Sequence, residues 1–237
     1  MYCFESVVRY SEIDADKQMT LCAMLDLMQD CCTFSSEELG IGIDYLKQEH
    51  RAWMLSSWQV VIDRYPVMGE KIRTYTWPYE FKRFYGYRNF KMEDESGKTI
   101  AWANSVWIFV DTDSGCPARP SKELVERYAY EPPYEMECAG RKLILPEDLK
   151  PQEPVRVGRF HIDTNHHVNN GKYIMMAEEY LPESFKVREF RAEYRKAAVL
   201  SDVIFPKVKV MEKKTVVSLE NEAGEPYAAV EFMEDER

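Results

Sequence analysis

Residues 159–175 read "RFHIDTNHHVNNGKYIM", and residues 9–25 read "RYSEIDADKQMTLCAML". One can be laid on the other so that Ile13 meets Ile162, Asp14 meets Asp163, Gln18 meets His167 and Leu25 meets Ile174. Two later stretches match in the same order. "WQVVIDRYPVMGEKI" from Trp58 aligns with "FRAEYRKAAVLSDVI" from Phe190, and "MEDESGKTIA" from Met92 aligns with "LENEAGEPYA" from Leu219. Each match is weak alone, but three in one order point to a duplicated unit.

Both copies share one grammar: a short strand, a polar loop, one helix, then several strands. Leu21, Met24, Leu25 and Met28 follow the i, i+3, i+4, i+7 spacing of a helix face. Tyr173, Met176, Ala177, Tyr180 and Leu181 do the same in the second copy. "SWQVVIDRY", "EKIRTYTWPYEF", "YGYRNFKMED" and "TIAWANSVWIFVD" are rich in the β-branched and aromatic residues that suit strands. "DESGK" and "NEAGE" supply glycine for hairpin turns. A lone antiparallel sheet needs one face covered, so it wraps round its helix. The expected class is α+β, a tandem (double) hotdog whose two helix-wrapped antiparallel sheets join into one long sheet. The expected organisation is an N-terminal hotdog over 1–125, a connector over 126–152 and a C-terminal hotdog over 153–237. The proline-rich stretch 112–152 contains a short helix candidate at "SKELVERY" and is apolar enough to pack.

The chain has 237 residues, 45% apolar and 13% aromatic, which suits a packed core rather than disorder. Its formal charge of −10 argues against nucleic acid or an anionic membrane as the main partner. Six cysteines form no CxxC pair. The start, "MYCFESVVRYSEID", has no signal-peptide pattern, and no apolar run is long enough to span a membrane. A cytoplasmic protein with reduced thiols is the expectation.

Three of the four histidines, His161, His166 and His167, sit in one segment beside Asp163, Asn165, Asn169 and Asn170. The equivalent loop of the first copy, Asp14 to Gln18, has neither His nor Asn, so one active site per chain is expected. On an extended strand Asp163, Asn165 and His167 would face one side. They would converge at a helix N-terminus, where free N–H groups polarise a carbonyl and an imidazole moves a proton. The plain alternative is that Asn169 or Asn170 only caps the helix. A metal is disfavoured, since His166 and His167 would point opposite ways; no metal and no cofactor are expected.

"DTNHHVNNGKY", "WQVVIDRYPVMGE", "ANSVWIFVD" and "EYRKAA" resemble motifs of the acyl-acyl carrier protein (acyl-ACP) thioesterases, known from plant plastids and from bacteria. The resemblance covers nearly the whole chain. It implies a double hotdog that hydrolyses fatty acyl-ACP, ending chain elongation in fatty acid biosynthesis. It implies that Asn165 and the helix N-terminus hold the thioester carbonyl, His167 activates water and Asp163 orients its neighbours. Without a transit extension, a bacterial cytoplasmic member is expected. The family's Glu-Cys pair falls on Ala197 and Ala198, so no cysteine nucleophile acts there. Glu193 lies too far along its strand to substitute, and Glu178 and Glu179 read as exposed helix residues. The general base stays open.

The first unit, lacking the equipped loop, is expected to bind the acyl chain with Leu21, Met24, Leu25, Met28, Trp53 and Trp58. An apolar helix stripe is otherwise simply core. The expected partner is ACP carrying a phosphopantetheine-linked acyl chain. Arg188, Arg191, Arg195 and Lys196, or Arg119 and Lys122, are its candidate docking cations. Acyl-CoA thioesterase, non-catalytic acyl-binding protein and hotdog dehydratase are the alternatives. A monomer and a homodimer both fit.

Overall fold

The computed structural model describes residues 1–234 and divides into two compact units. One comprises Met1–Ser56 and Ile62–Cys138; the other comprises Ser57–Val61 and the chain from Ala139 onward. The first contains β1 (Tyr2–Val7), α1 (Leu21–Glu38), α2 (Ile43–Gln48), β2 (Arg51–Ile62), β3 (Lys71–Lys82), β4 (Tyr85–Asp94), β5 (Thr99–Asp111) and α3 (Lys122–Glu126). Five of the twelve residues of β2 count with the second unit. The other elements of that unit are β6 (Lys150–Pro151), β7 (Val155–Arg156), α4 (Asn170–Glu178), β8 (Val187–Tyr194), β9 (Val203–Met211), β10 (Lys214–Glu220) and β11 (Pro226–Glu234).

In the first unit the strands pair in the order β1-β3-β4-β5-β2. The hydroxyl of Thr20 accepts the Ala23 N–H at 3.2 Å and starts α1. The helix then buries Leu21, Met24, Leu25, Met28 and Cys31 along one face. Alternation along β3 brings Ile72, Thr74 and Thr76 into the interior. In the second unit the order is β2-β8-β11-β10-β9-β6, and α4 buries Tyr173, Ile174, Met176 and Ala177. Each unit is thus the expected α+β arrangement of antiparallel strands with one principal helix.

The duplication seen in the sequence holds bond for bond at the strand-to-helix junctions and the hairpin turns. Asp14 N–H reaches Gln18 O at 2.8 Å, and Asp163 N–H reaches His167 O at 2.8 Å. Lys17 and His166 both take positive φ, 61° and 63°. Met19 N–H bonds Pro66 O, and Val168 N–H bonds Ala198 O. The hairpins Asp94–Lys98 and Asn221–Glu225 both turn through a glycine at positive φ, 84° at Gly97 and 78° at Gly224.

The connector does not stand apart as a body over 126–152; the division falls at Cys138/Ala139. The sheets present buried polar side chains that need backbone partners, and the connector supplies them. Trp77 Nε1 donates to Pro132 O at 2.9 Å, and Tyr134 N–H donates to Asn89 Oδ1 at 3.0 Å. Beyond Cys138, the Ala139 N–H donates to Gln59 Oε1 at 2.8 Å and the Leu143 N–H to Glu193 Oε2 at 2.9 Å. α3 begins at the expected place, capped by Ser121.

Candidate active site

The segment 162–168 is a closed turn, not the extended run expected from the sequence. Ile162 and Val168 form an antiparallel bridge across it. Asp163 Oδ1 accepts the N–H of Asn165 at 2.8 Å and of His167 at 3.3 Å. The left-handed conformation of His166 turns the chain back between them. The period-two argument for one-sided convergence therefore does not apply. What holds the backbone of Asn165 and His167 is a loop closed by one carboxylate oxygen. Asp14 makes the same two bonds, to Asp16 N–H and Gln18 N–H, both at 2.9 Å.

Asn165 and His166 are exposed, and His167 is half-buried. Nδ1 of His167 is buried and meets no hydrogen-bond partner among the described residues. α4 starts three residues later, at Asn170, with Asn169 as its cap accepting the Gly171 N–H at 2.8 Å. The cap expected as the plain alternative is therefore present, and it takes up one of the helix N–H groups. Among the described residues no three His, Cys, Asp or Glu side chains group as a metal site.

Ala197 and Ala198 lie beside this loop, because His167 bridges Val199 and Val168 N–H donates to Ala198 O at 2.9 Å. Ala198 is wholly buried and its N–H donates to the Tyr173 hydroxyl at 2.8 Å. Burial pushes the Tyr173 phenol up to about 12, so it stays neutral. The helical spacing places Tyr173 on the apolar face but does not mark it as an acceptor. The signal was available: in the aligned first copy, Pro66 stands where Ala198 does and Met24 where Tyr173 does. A proline has no N–H to satisfy, so methionine suffices there.

His161 closes the other side of the loop. Its carbonyl accepts the Asn169 N–H at 2.8 Å, and its Nδ1 accepts the Gly158 N–H at 2.9 Å. Burial, with the nearby charge of Lys172, lowers its pKa and keeps the ring neutral.

The acyl-ACP thioesterase N-terminal domain model matches residues 2–128, and the C-terminal domain model matches residues 147–230. The chain belongs to the acyl-ACP thioesterase family. It is 23% identical over 219 residues to an oleoyl-acyl carrier protein thioesterase of Arabidopsis thaliana, covering 84% of this chain and 60% of that protein. It is 26% identical over 209 residues to a palmitoyl-acyl carrier protein thioesterase of Cuphea hookeriana, covering 80% and 50%. The chain thus spans about half the length of the curated relatives it matches. Its fold matches an acyl-ACP thioesterase from Bacteroides thetaiotaomicron with a TM-score of 0.89 at 23% identity, covering 98% and 97% of the two chains. It also matches the 12:0-ACP thioesterase of Umbellularia californica, at a TM-score of 0.87, 17% identity and coverage of 98% and 96%. These likenesses show the double hotdog fold.

The other positions considered from the sequence divide sharply. Glu193 is buried and committed, accepting from Leu143 N–H and from Arg195 at 2.9 Å each. Glu179 is exposed and Glu178 half-buried on α4. Leu21, Met24, Leu25, Met28 and Trp58 are all buried, and Trp53 packs on Phe81 and Phe109. Of the expected docking cations, Arg191 pairs with Glu231, Arg195 with Glu193, Lys196 with Glu225 and Lys122 with Glu126. Arg188 is also engaged, whereas Arg119 meets no ion-pair partner among the described residues.

Tyr173→Phe leaves the Ala198 N–H buried and unpaired, and should cost about 1–3 kcal/mol in urea unfolding. Adding Ala198→Pro to that variant removes the stranded donor, so it should cost less there than in the wild type.

His161 should make stability fall with acid. Its folded pKa lies below the ordinary 6.5, so its contribution is complete above that value and is lost as pH falls through the folded one. Unfolding curves at pH 7.5 and 5.5 should show this slope, and His161→Gln should flatten it.

Proposed function

We propose that the chain hydrolyses the thioester of fatty acyl-ACP, giving free fatty acid and the carrier thiol. One observation carries the reading. Two junctions share one backbone, yet only the second sets Asn165 and His167 on it, within a chain of this family.

In the proposed reaction Asn165 and nearby backbone N–H groups hold the thioester carbonyl oxygen as it gains negative charge. His167 takes a proton from water as the water oxygen bonds the carbonyl carbon. The C–S bond then breaks, and the proton passes to the leaving sulfur. Asp163 acts through the loop, because one of its oxygens already holds two backbone N–H groups. Ala197 and Ala198 offer neither a base nor a nucleophile, so water attacks directly. Leu21, Met24, Leu25, Met28 and Trp53 of the first unit are the proposed wall for the acyl chain, whereas Trp58 counts with the second unit. The six cysteines are free thiols, which suits a reducing compartment such as the bacterial cytoplasm. No helix among the described residues is long and apolar enough to cross a membrane.

The carrier is acidic, and a different set of cations supports its docking from the set expected in the sequence. Arg156 and Arg159 are exposed, and Lys172 reaches only the Met175 sulfur. None of the three has a carboxylate partner among the described residues. They flank the equipped loop. Arg156 pairs in register with Val203, Arg159 opens the turn to His161, and Lys172 is close enough to lower the His161 pKa. Exposed Phe160, Val199 and Leu200 lie among them, giving apolar contact inside a basic rim.

Thiol release from medium- and long-chain acyl-ACPs tests the reading, with matching acyl-CoAs as comparison. His167→Ala should lower kcat/KM at least about a hundredfold, the usual size of lost acid–base help. Binding of acyl chains without thiol release by the wild type would instead mark a binding protein.

Arg159→Glu with Lys172→Glu should raise KM for acyl-ACP several-fold, leave kcat nearly unchanged, and lessen the salt dependence of kcat/KM.

A further inference from the structure

The corner between β8 and β9, residues 195–202, is built like the corner between β2 and β3, residues 63–70. Asp202 N–H donates to Val199 O at 3.1 Å, and Glu70 N–H donates to Val67 O at 3.0 Å. The side chains close the same loop from the other direction. Asp202 Oδ2 accepts the Val199 N–H and Glu70 Oε2 accepts the Val67 N–H, both at 3.0 Å. Ser201 and Gly69, just before the carboxylates, take positive φ, 76° and 83°. Val199 then bridges His167, and Val67 bridges Gln18. Each carboxylate thus fixes the residue that stands opposite the junction loop.

The two corners are secured differently. In the first, the Arg64 guanidinium donates twice to the Glu70 carboxylate, and Ile100 is buried with its carbonyl accepting the Arg64 N–H. In the second, Lys196 stands in place of Arg64 and pairs with Glu225 instead. Tyr227 stands in place of Ile100, and its hydroxyl donates to Asp202 Oδ2 at 3.0 Å. Burial and that hydrogen bond raise the Tyr227 pKa, so the phenol stays a donor. The Tyr173 hydroxyl lies near the same groups: after burial, the charges of Tyr227, Asp202 and Asp163 raise its pKa. Three apolar positions of the first copy, Met24, Pro66 and Ile100, thus become Tyr173, Ala198 and Tyr227 in the copy that carries His167.

An ion pair of the Arg64–Glu70 kind suffices to close such a corner. Buried phenols cost more to desolvate, and once satisfied they hold a network in a single arrangement. We propose that Asp202, oriented by Tyr227, is a positioning residue for His167 and acts through the Val199 backbone. This rests on the proton-transfer role proposed above for His167. His167 Nδ1 is buried without a hydrogen-bond partner among the described residues, so no side chain fixes that end of the ring. Its setting therefore depends on its backbone, which Asp163 holds within the loop and Val199 holds from across it. Proton transfer weakens steeply when the base is misplaced, so a loosened corner slows the chemical step rather than carrier binding.

Asp202→Ala should lower kcat at least about tenfold, with KM nearly unchanged, on acyl-ACP and acyl-CoA alike. Asp202→Glu should recover much of the loss, because Glu70 makes the same bond in the first copy. Glu70→Ala should cost stability yet leave kcat unchanged. An unchanged kcat in Asp202→Ala overturns the inference, as does an equal fall in Glu70→Ala. So does a rise in KM for acyl-ACP alone, which would give the corner to carrier docking. Should Asp202→Ala fail to fold, Tyr227→Phe removes only the orienting hydroxyl and should lower kcat severalfold; no change there overturns the inference too. Should the wild type cleave no thioester, the proposed reaction fails, and the proton–nitrogen NMR spectrum of the imidazoles decides instead. The His167 signals, identified by their loss in His167→Ala, should shift or broaden in Asp202→Ala and Tyr227→Phe. Unchanged signals in both variants overturn the inference.

Discussion

One carboxylate oxygen closes each strand-to-helix junction. Asp14 and Asp163 each gather two backbone N–H groups into a turn that no regular ladder could satisfy. With the turn closed, the chain is aimed so that Thr20 or Asn169 falls at the helix start. The helix then covers its sheet. In the second copy the same closure sets the positions of Asn165 and His167, so the candidate site inherits its geometry from a structural bond. This is why an aspartate that reads as catalytic has a twin in a loop with no chemistry.

The sheets depend on polar satisfaction as much as on apolar burial. Gln59, Asn89 and Glu193 are almost wholly buried, and each takes a backbone N–H from the connector. A connector that merely joined two bodies would leave those groups stranded. Its hydrogen bonds assign it in two parts, one to each unit.

Much of this was legible in the sequence where the determinants are local. The duplication showed because turns, caps and helix stripes are written within a few residues: Asp14 and Asp163, Gly97 and Gly224, the Leu21 to Met28 stripe. The conformation of 162–168 was not legible. A strand-like context invited a period of two, while the positive φ of His166 depends on side-chain-to-backbone bonds that composition alone does not declare. Long-range commitments were also hidden. Glu193 is held by Leu143, fifty residues away, and Arg191 and Lys196 are neutralised by partners that only folding brings near. Cations without such partners, Arg156, Arg159 and Lys172, looked no different in the chain.

Pro66 with Met24, and Ala198 with Tyr173, are two answers to one buried position. The first deletes a donor; the second keeps it and provides an acceptor. Changing either position alone strands a buried polar group, the tyrosine hydroxyl opposite a proline or the N–H opposite a methionine. The two positions should drift as a pair in descendants of this chain, although one lies on a helix and the other in a loop twenty-five residues away.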